Sequence, residues 1–349
     1  MCGFKIYPFL CDVRIQHLVN LSHHNTFGFP VIAEECTTVE SEEDALNLHS
    51  TGFFSLPHRI LGGGSNVLFT TNAIPKVLIN RIEGINILEE SDESIRIQFG
   101  AGMTWHTVVE HAVNNGWGGI ENLSLIPGSI GAAPIQNIGA YGVELKDTFH
   151  SLTALNFETG EINQFSHSEC KFGYRDSIFK RSHKGKYLIT SVTLVLQKKP
   201  MINTQYGDIQ QLLNQKNINQ PSIKDVSEAV IEIRTSKLPN PKLIGNAGSF
   251  FKNPVVPNTL YQELSTKYSD IRGYSIDSEH TKVPAGWLIE KAGWKGFRDG
   301  SIGVHSKQAL VLVHYGGGIG GNVKSLAETI QKDIREKFGI TLEFEVNIW

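Results

Sequence analysis

The chain has little cysteine, and none of it in a pattern. Cys2, Cys11, Cys36 and Cys170 show neither CxxC spacing nor a His/Cys cluster, which argues against a disulfide framework and a zinc site and for free thiols in a reducing compartment. Charge of one sign is also scarce. The 32 basic and 35 acidic side chains nearly cancel, leaving −3, so neither nucleic acid nor a membrane surface is an expected partner. No apolar run approaches the ~20 residues needed to cross a bilayer. The opening MCGFKIYPFLCDVRIQH lacks a long apolar stretch leading to a cleavage site, so a soluble, cytoplasmic protein is expected rather than a secreted one. Repeats and low-complexity tracts are missing. So are HExxH, an EF-hand loop and a GxSxG elbow, which leaves no obvious home for a metal or a hydrolase nucleophile.

What is present fits a folded chain of two or three domains: 349 residues with 40% hydrophobic and 19% charged can bury a sizeable core. SIRIQFGAG alternates as a strand does, and Thr104 to Asn115 reads as a helix closed by Gly116. HSLTALNFETGEINQF reads as a hairpin turning at Thr159 and Gly160, followed by the strand-like KYLITSVTLVLQKKP. Ser222 and Asp225 form a capping-box pattern before Ile223, Val226, Val230 and Ile233 at helical spacing, and Pro239 and Pro241 stop that element near an expected domain boundary. A further helix is expected from Asn322 to Gly339 through Val323, Leu326, Ile330 and Ile334, then a strand over ITLEFEVNIW. The mixture argues for α+β, with α/β-type subdomains.

Three glycine-rich segments raise the question of a ligand. LGGGSN, Leu61 to Asn66, offers converging backbone amides and two polar side chains, a pattern open between a tight turn and a phosphate cradle. It has neither GxGxxG spacing nor the G-K-[ST] of a P-loop. IPGSIGAAPIQNIGAYG, Ile126 to Gly142, is depleted of bulk yet keeps Ser129, Gln136, Asn137 and Tyr141, as a loop against a flat ligand would. HYGGGIGGN, with Gly316 to Gly321, has no polar side chain among its glycines and reads as a flexible connector.

Three further positions carry candidate chemistry. In YRDSIFK, Arg175 beside Asp176 is either a surface ion pair or a fork for a carboxylate or phosphate. Glu345 falls opposite the apolar residues of the last strand, as a solvated edge residue also would. GNAGSFFKNP sets small residues before Ser249, as either a turn entering a strand or a close backbone approach to a ligand.

Taken in order, NTFG at Asn25, LGGGSN, IPGSIGAAPIQNIGAYG, YRDSIFK, RTSKLP at Arg234, GNAGSFFKNP and AGWLIEKAGWKG at Ala285 resemble the UDP-N-acetylenolpyruvoylglucosamine reductase family nearly end to end. The resemblance implies a two-part FAD-binding module of the vanillyl-alcohol-oxidase type and a smaller α/β substrate-binding domain. The expected divisions are 1–80 and 81–235 for FAD and 236–339 for substrate, with 340–349 returning to the first part. NTQYGDI at Asn203 resembles the longer form of the family, whose tyrosine loop covers the substrate. Non-covalent FAD, NADPH as reductant and UDP-N-acetylglucosamine enolpyruvate as substrate are implied, in a protein expected to be a monomer.

The chemistry implied by the resemblance passes hydride from NADPH through FAD to C3 of the enolpyruvyl group and a proton from Ser249 to C2. Arg175 and Glu345 match the groups that stabilise the developing negative charge. Gly62, Gly63, Gly64, Ser65, Asn66, Pro127, Gly128, Ser129, Gly131, Ala132, Gln136, Asn137 and Gly139 match the cofactor loops. Tyr174, Tyr206, Lys237, Asn253 and Gln308 match substrate positions, with Lys237 at the diphosphate. Two positions depart from the family: Phe344 stands where proline is common, and Asn347 where arginine is usual. The rivals are an oxidase of the same flavin superfamily acting on another small substrate, and a non-catalytic flavin- or nucleotide-binding protein.

Overall fold

A computed structural model describes residues 14–349; Cys2, Cys11 and most of the opening segment lie outside the described residues. The chain packs as two compact units. Of the described residues, the first combines 14–19, Ala33–Gly63 and Ile74–Ile233, the second Asn20–Ile32, Gly64–Ala73 and Arg234–Trp349.

In the first unit, alternating sequences build a five-stranded antiparallel sheet. Its order is Ile162–Ser166, Phe149–Asn156, Tyr187–Gln197, Ser94–Gly100, Ile85–Glu90. Ile95, Ile97 and Phe99 face one side, where they meet Val108, Val109 and Ala112 of the helix Trp105–Asn114. Each fully buried side chain of this size contributes about 1.5–3 kcal/mol. Trp105 also donates its indole N–H to the Leu123 carbonyl at 2.9 Å, which ties that helix to the segment that follows it. The expected hairpin is present, with Gly160 at φ +73° in its turn.

A second sheet, Gln16–Asn20, Ile32–Val39, Ala73–Asn80 and Arg59–Leu61, includes a parallel pair. Parallel and antiparallel pairing together give the expected α+β character. Helices Gly207–Gln215 and Ile223–Lys237 pack through Ile209 and Leu213 against Val226, Val230 and Ile233. Ser222 and Asp225 make the reciprocal cap that their spacing predicts.

The second unit holds a four-stranded sheet in the order Gly245–Ser249, Val311–His314, Ile302–Val304, Arg298–Asp299. The helix Gly320–Phe338 buries Val323, Leu326, Ile330 and Ile334. It starts two residues before the expected Asn322, because the backbone is extended only as far as Ile319, and it ends at the expected Gly339, which adopts φ +69°.

Two expectations change here. ITLEFEVNIW alternates in burial, yet it is not one long strand: Phe344 bridges Phe251, and only Asn347–Ile348 pairs with Val67–Leu68. The segment changes partners midway, which no periodicity reveals. The Gly316–Gly321 segment, read as a flexible connector, has one fixed point: the His314 ring, 2.9 Å from the Phe27 carbonyl, lies 2.5 Å from the Gly317 carbonyl. Among the described residues no helix is long and apolar enough to cross a membrane, and no cluster of His, Cys, Asp and Glu could hold a metal ion.

A Cβ at Gly320 would lie 1.8 Å from the Phe69 carbonyl oxygen. Gly320→Ala is therefore expected to destabilise the protein by about 1–3 kcal/mol, read as a lower thermal midpoint; an unchanged midpoint would contradict this packing. Burial raises the Cys36 thiol and pushes that of Cys170 up to about 12. Both stay protonated at mildly alkaline pH, so iodoacetamide should label neither in the native protein and both after denaturation, by peptide mass mapping.

Candidate active site

In the first unit two glycine-rich segments meet backbone to backbone. A Cβ at Gly63 would sit 3.0 Å from Gly128 Cα, and one at Gly62 would overlap the Ser129 hydroxyl at 2.2 Å. Ser129 is held by the bridge between Thr104 and Ser129, with Trp105 N–H donating to the Gly128 carbonyl at 2.9 Å. The amides of Gly63, Gly128 and Ser129 make no backbone hydrogen bond to protein among the described residues. The result is a surface bare of side chains with amides to spare, which suits the pyrophosphate of a dinucleotide. Pro127 and Ala132 are exposed beside it, and Gly131 is buried against Ala101.

Asn137 plays a different part from an open ligand contact. It is fully buried, and its amide donates to Glu144 Oε2 at 2.9 Å and the Gly173 carbonyl at 3.0 Å while accepting from Lys146 N–H at 3.0 Å. Those bonds fix the loop from within. Gln136 beside it is half-buried. Beyond them Gly139–Ala140 pairs with Val143–Glu144 around a two-residue turn, Tyr141 and Gly142, both at positive φ.

Arg175 sits at φ +52° in a turn closed by Gly173 and Asp176. Its Nη2 donates to the Gly139 carbonyl at 2.6 Å, and its guanidinium lies 5.6 Å from the Tyr174 ring centroid. The ion pair of this segment is between Asp176 and Arg181 at 3.1 Å, so adjacency in sequence does not identify the acid's partner. Tyr206 precedes the helix Gly207–Gln215 and sets its ring edge-on to Tyr141, centroids 5.2 Å apart.

The second unit gathers the hydroxyl and carboxylate candidates. Gly245–Ser249 pairs with Val311–His314 through a bulge between Asn246 and Ser249, where Gly248 adopts φ +68°. Asn246 shapes the bulge: its Oδ1 accepts Gly248 N–H at 3.0 Å, and its amide donates to the carbonyls of Ile244 and Pro239. One residue beyond Ser249, the Phe250 carbonyl accepts Glu345 N–H at 2.9 Å. Ser249 and Glu345 therefore lie on neighbouring segments at almost the same level. GNAGSFFKNP is thus a bulged strand, with Phe250 and Phe251 buried behind it.

The departures near Glu345 also have partners in this unit. Asn66 donates to the Glu345 carbonyl at 3.2 Å, and Asn347 donates to the Asn66 carbonyl from its backbone and its side chain, at 3.1 and 3.0 Å. Phe344 packs on Phe250 and Phe251, centroids 5.4 and 5.7 Å away. Gly64, ahead of half-buried Ser65, packs so closely that a Cβ would lie 1.9 Å from the His24 carbonyl.

Asn253 and Gln308 converge on the start of the helix Ala285–Lys291. Asn253 Oδ1 accepts Ala285 N–H at 2.9 Å, and Gln308 Oε1 lies 3.2 Å from where Gly286 would carry a Cβ. Half-buried Lys237 ends the helix Ile223–Lys237, next to Ser236, whose carbonyl accepts Lys307 Nζ at 3.2 Å. Asn246 and Asn122 escaped the sequence reading as shaping residues, and only the amide within GNAG hinted at the first.

A cradle of glycine backbone with spare amides defines a flavoprotein when set beside the finding that residues 37–166 match the FAD binding domain. Residues 239–349 match the UDP-N-acetylenolpyruvoylglucosamine reductase C-terminal domain. Over its length the chain is similar to enzymes of that name from Flavobacterium johnsoniae, 45% identical over 96% of this chain and 100% of that one, and Amoebophilus asiaticus, 47% identical over 96% and 99%. The chain belongs to the UDP-N-acetylenolpyruvoylglucosamine reductase family. Its fold is similar to that of the Thermus caldophilus reductase, with a TM-score of 0.68, 22% identity and coverage of 97% and 99% of the two chains.

Filling the cradle should expel the cofactor. Gly63→Leu is expected to fold but to weaken FAD binding by at least about tenfold, measured as flavin absorbance per protein after gel filtration. Full flavin content in that variant would remove the cradle from the cofactor site.

Proposed function

We propose that the protein is an NADPH-dependent flavoenzyme that reduces the enolpyruvyl ether of UDP-N-acetylglucosamine enolpyruvate to UDP-N-acetylmuramate, for peptidoglycan precursor synthesis. The observation that supports the catalytic reading is the Phe250–Glu345 backbone hydrogen bond, which brings the main chain beside Ser249 next to that of Glu345, two segments far apart in sequence. The proposed division follows the family: residues 1–80 and 81–235 serve FAD, 236–339 serve the substrate, and 340–349 return to the first part. The pairing of Asn347–Ile348 with Val67–Leu68 supports that return. The protein is taken to act in the cytoplasm as a monomer.

The glycine backbone of Gly62, Gly63, Gly128 and Ser129 would hold FAD, which when bound would supply hydride transfer between NADPH and C3 of the enolpyruvyl group. The carbon–carbon electron pair then develops at C2 and spreads into the adjoining carboxylate. Arg175 supplies the cation for that carboxylate, preset by its bond to the Gly139 carbonyl. Glu345 helps polarise or protonate the developing acid, and Ser249 delivers the proton to C2. A hydroxyl is a weak acid in water, but an enolate carbon is strongly basic, so the rate depends on placement more than on pKa. One hydride and one proton have then added across the double bond, with NADPH becoming NADP⁺.

Around that centre Tyr174 and Tyr206 supply aromatic surface, Lys237 pairs with the diphosphate, and Asn253 and Gln308 hydrogen-bond the substrate. Asn137 serves the cofactor by holding its loop.

The test follows NADPH absorbance in the purified protein with and without the enolpyruvyl substrate. Wild type is expected to oxidise NADPH in a substrate-dependent way. Ser249→Ala should keep flavin reduction by NADPH within about twofold while slowing enolpyruvyl reduction by about 10²–10⁴. Equal losses in both half-reactions would make Ser249 structural and overturn its assignment.

A further inference from the structure

Asn122 stands outside every site assigned so far, yet it is almost fully buried, at 1% exposure. It occupies the short turn Glu121–Leu123, directly before the glycine-rich segment. Its side-chain amide donates to two carbonyls from separate parts of the chain, Tyr141 at 3.1 Å and Asn203 at 3.0 Å. The first belongs to the tight turn beside the cofactor loop. The second belongs to the segment that carries Tyr206.

The orientation of this carboxamide is determined by its surroundings. Its Oδ1 has no hydrogen-bond partner, and reversing the group would turn that oxygen toward two carbonyl oxygens. Only a side chain with two N–H donors on one atom satisfies both. Neighbouring contacts repeat the connection. Tyr206 lies edge-on to Tyr141, and a Cβ at Gly142 would be 3.5 Å from Asn203 Nδ2. Asn203 Oδ1 accepts Gln205 N–H at 3.2 Å, which shapes the approach to Tyr206. Two residues after Asn122, Ser124 bonds Ser227 of the helix Ile223–Lys237 at 2.8 Å, so the same turn is anchored on a second side.

We propose that Asn122 is a positioning residue for the reaction: its two N–H donors clasp the Tyr206-bearing segment to the Tyr141–Gly142 turn and so hold the aromatic surface offered to the substrate. The consequence for substrate binding rests on the proposed role of Tyr206; the clasp itself does not.

Two variants and two measurements test it. Asn122→Ala removes both donors and Asn122→Ser leaves one, so their effects should rank in that order. In the full chain without substrate, hydrogen exchange of the amides in 202–207 should quicken about tenfold in Asn122→Ala, while the helix Trp105–Asn114 keeps its protection. Steady-state kinetics should show KM for the enolpyruvyl substrate raised about tenfold to a hundredfold, with flavin reduction by NADPH unchanged. In a Tyr206→Ala background the further change in KM should largely vanish, because both substitutions act through one contact.

Unchanged exchange in 202–207, equal loss of both half-reactions, or KM effects that simply multiply would overturn the proposal. Should Asn122→Ala not fold, Asn122→Ser and the same exchange measurement decide it. If wild type fails to oxidise NADPH with the substrate while the variants still loosen 202–207, the reaction assignment fails and the clasp stands.

Discussion

The C-terminal segment of the second unit depends on one backbone hydrogen bond, Glu345 N–H to the Phe250 carbonyl. Around it three distant stretches are stitched together: Asn66 to Thr70, Phe250 to Lys252, and Glu343 to Trp349. Lys252 N–H donates to the Glu343 carbonyl at 2.9 Å on one side, and Trp349 N–H to the Leu68 carbonyl at 2.9 Å on the other. The aromatic contacts of Phe344 with Phe250 and Phe251 keep water away from these bonds. A buried backbone pair left unmade costs more than a made one contributes. The main chain at Glu345 is therefore fixed by backbone hydrogen bonds to the Phe250 segment.

The same bonds and contacts hold Phe344 and Asn347. Phe344, directly before Glu345, is fixed by its aromatic packing on Phe250 and Phe251. Asn347 is short, but its amide reaches the Asn66 carbonyl that its own N–H also reaches. Two donors on one acceptor keep the LGGGSN segment attached to the tail. The glycine segment is thus held by polar bonds at one end and by close packing of Gly62 and Gly63 on Gly128 and Ser129 at the other.

Local chemistry was legible in the sequence and partner choice was not. The Ser222–Asp225 cap, the hairpin at Gly160 and the helix ending at Gly339 all depend on residues within a few positions of one another, and the sequence shows them. Asp176 pairs with Arg181 rather than with its neighbour, the tail changes partners after Phe344, and Asn137 turns inward. Each of these is decided by a residue brought in from elsewhere, to which periodicity is blind. The bulge before Ser249 was half legible: the glycines signalled freedom, while the function of Asn246 needed the Pro239 carbonyl to be in view.

Asparagine recurs at each of these joints for a physical reason. Asn66, Asn122, Asn137, Asn246 and Asn253 each place a short, rigid amide where main-chain groups have no partner within a helix or strand. A longer glutamine would lose more rotamer freedom on being fixed, and a carboxylate could only accept. The cost is directional: each amide works in one orientation, set by the carbonyls and N–H groups around it. Glycine supplies the bare backbone that a cofactor needs, and it also surrenders the side chains that would hold such backbone in place. The asparagines, within the loops as at Asn66 and Asn137 or beside them as at Asn122, restore that hold through their side-chain amides.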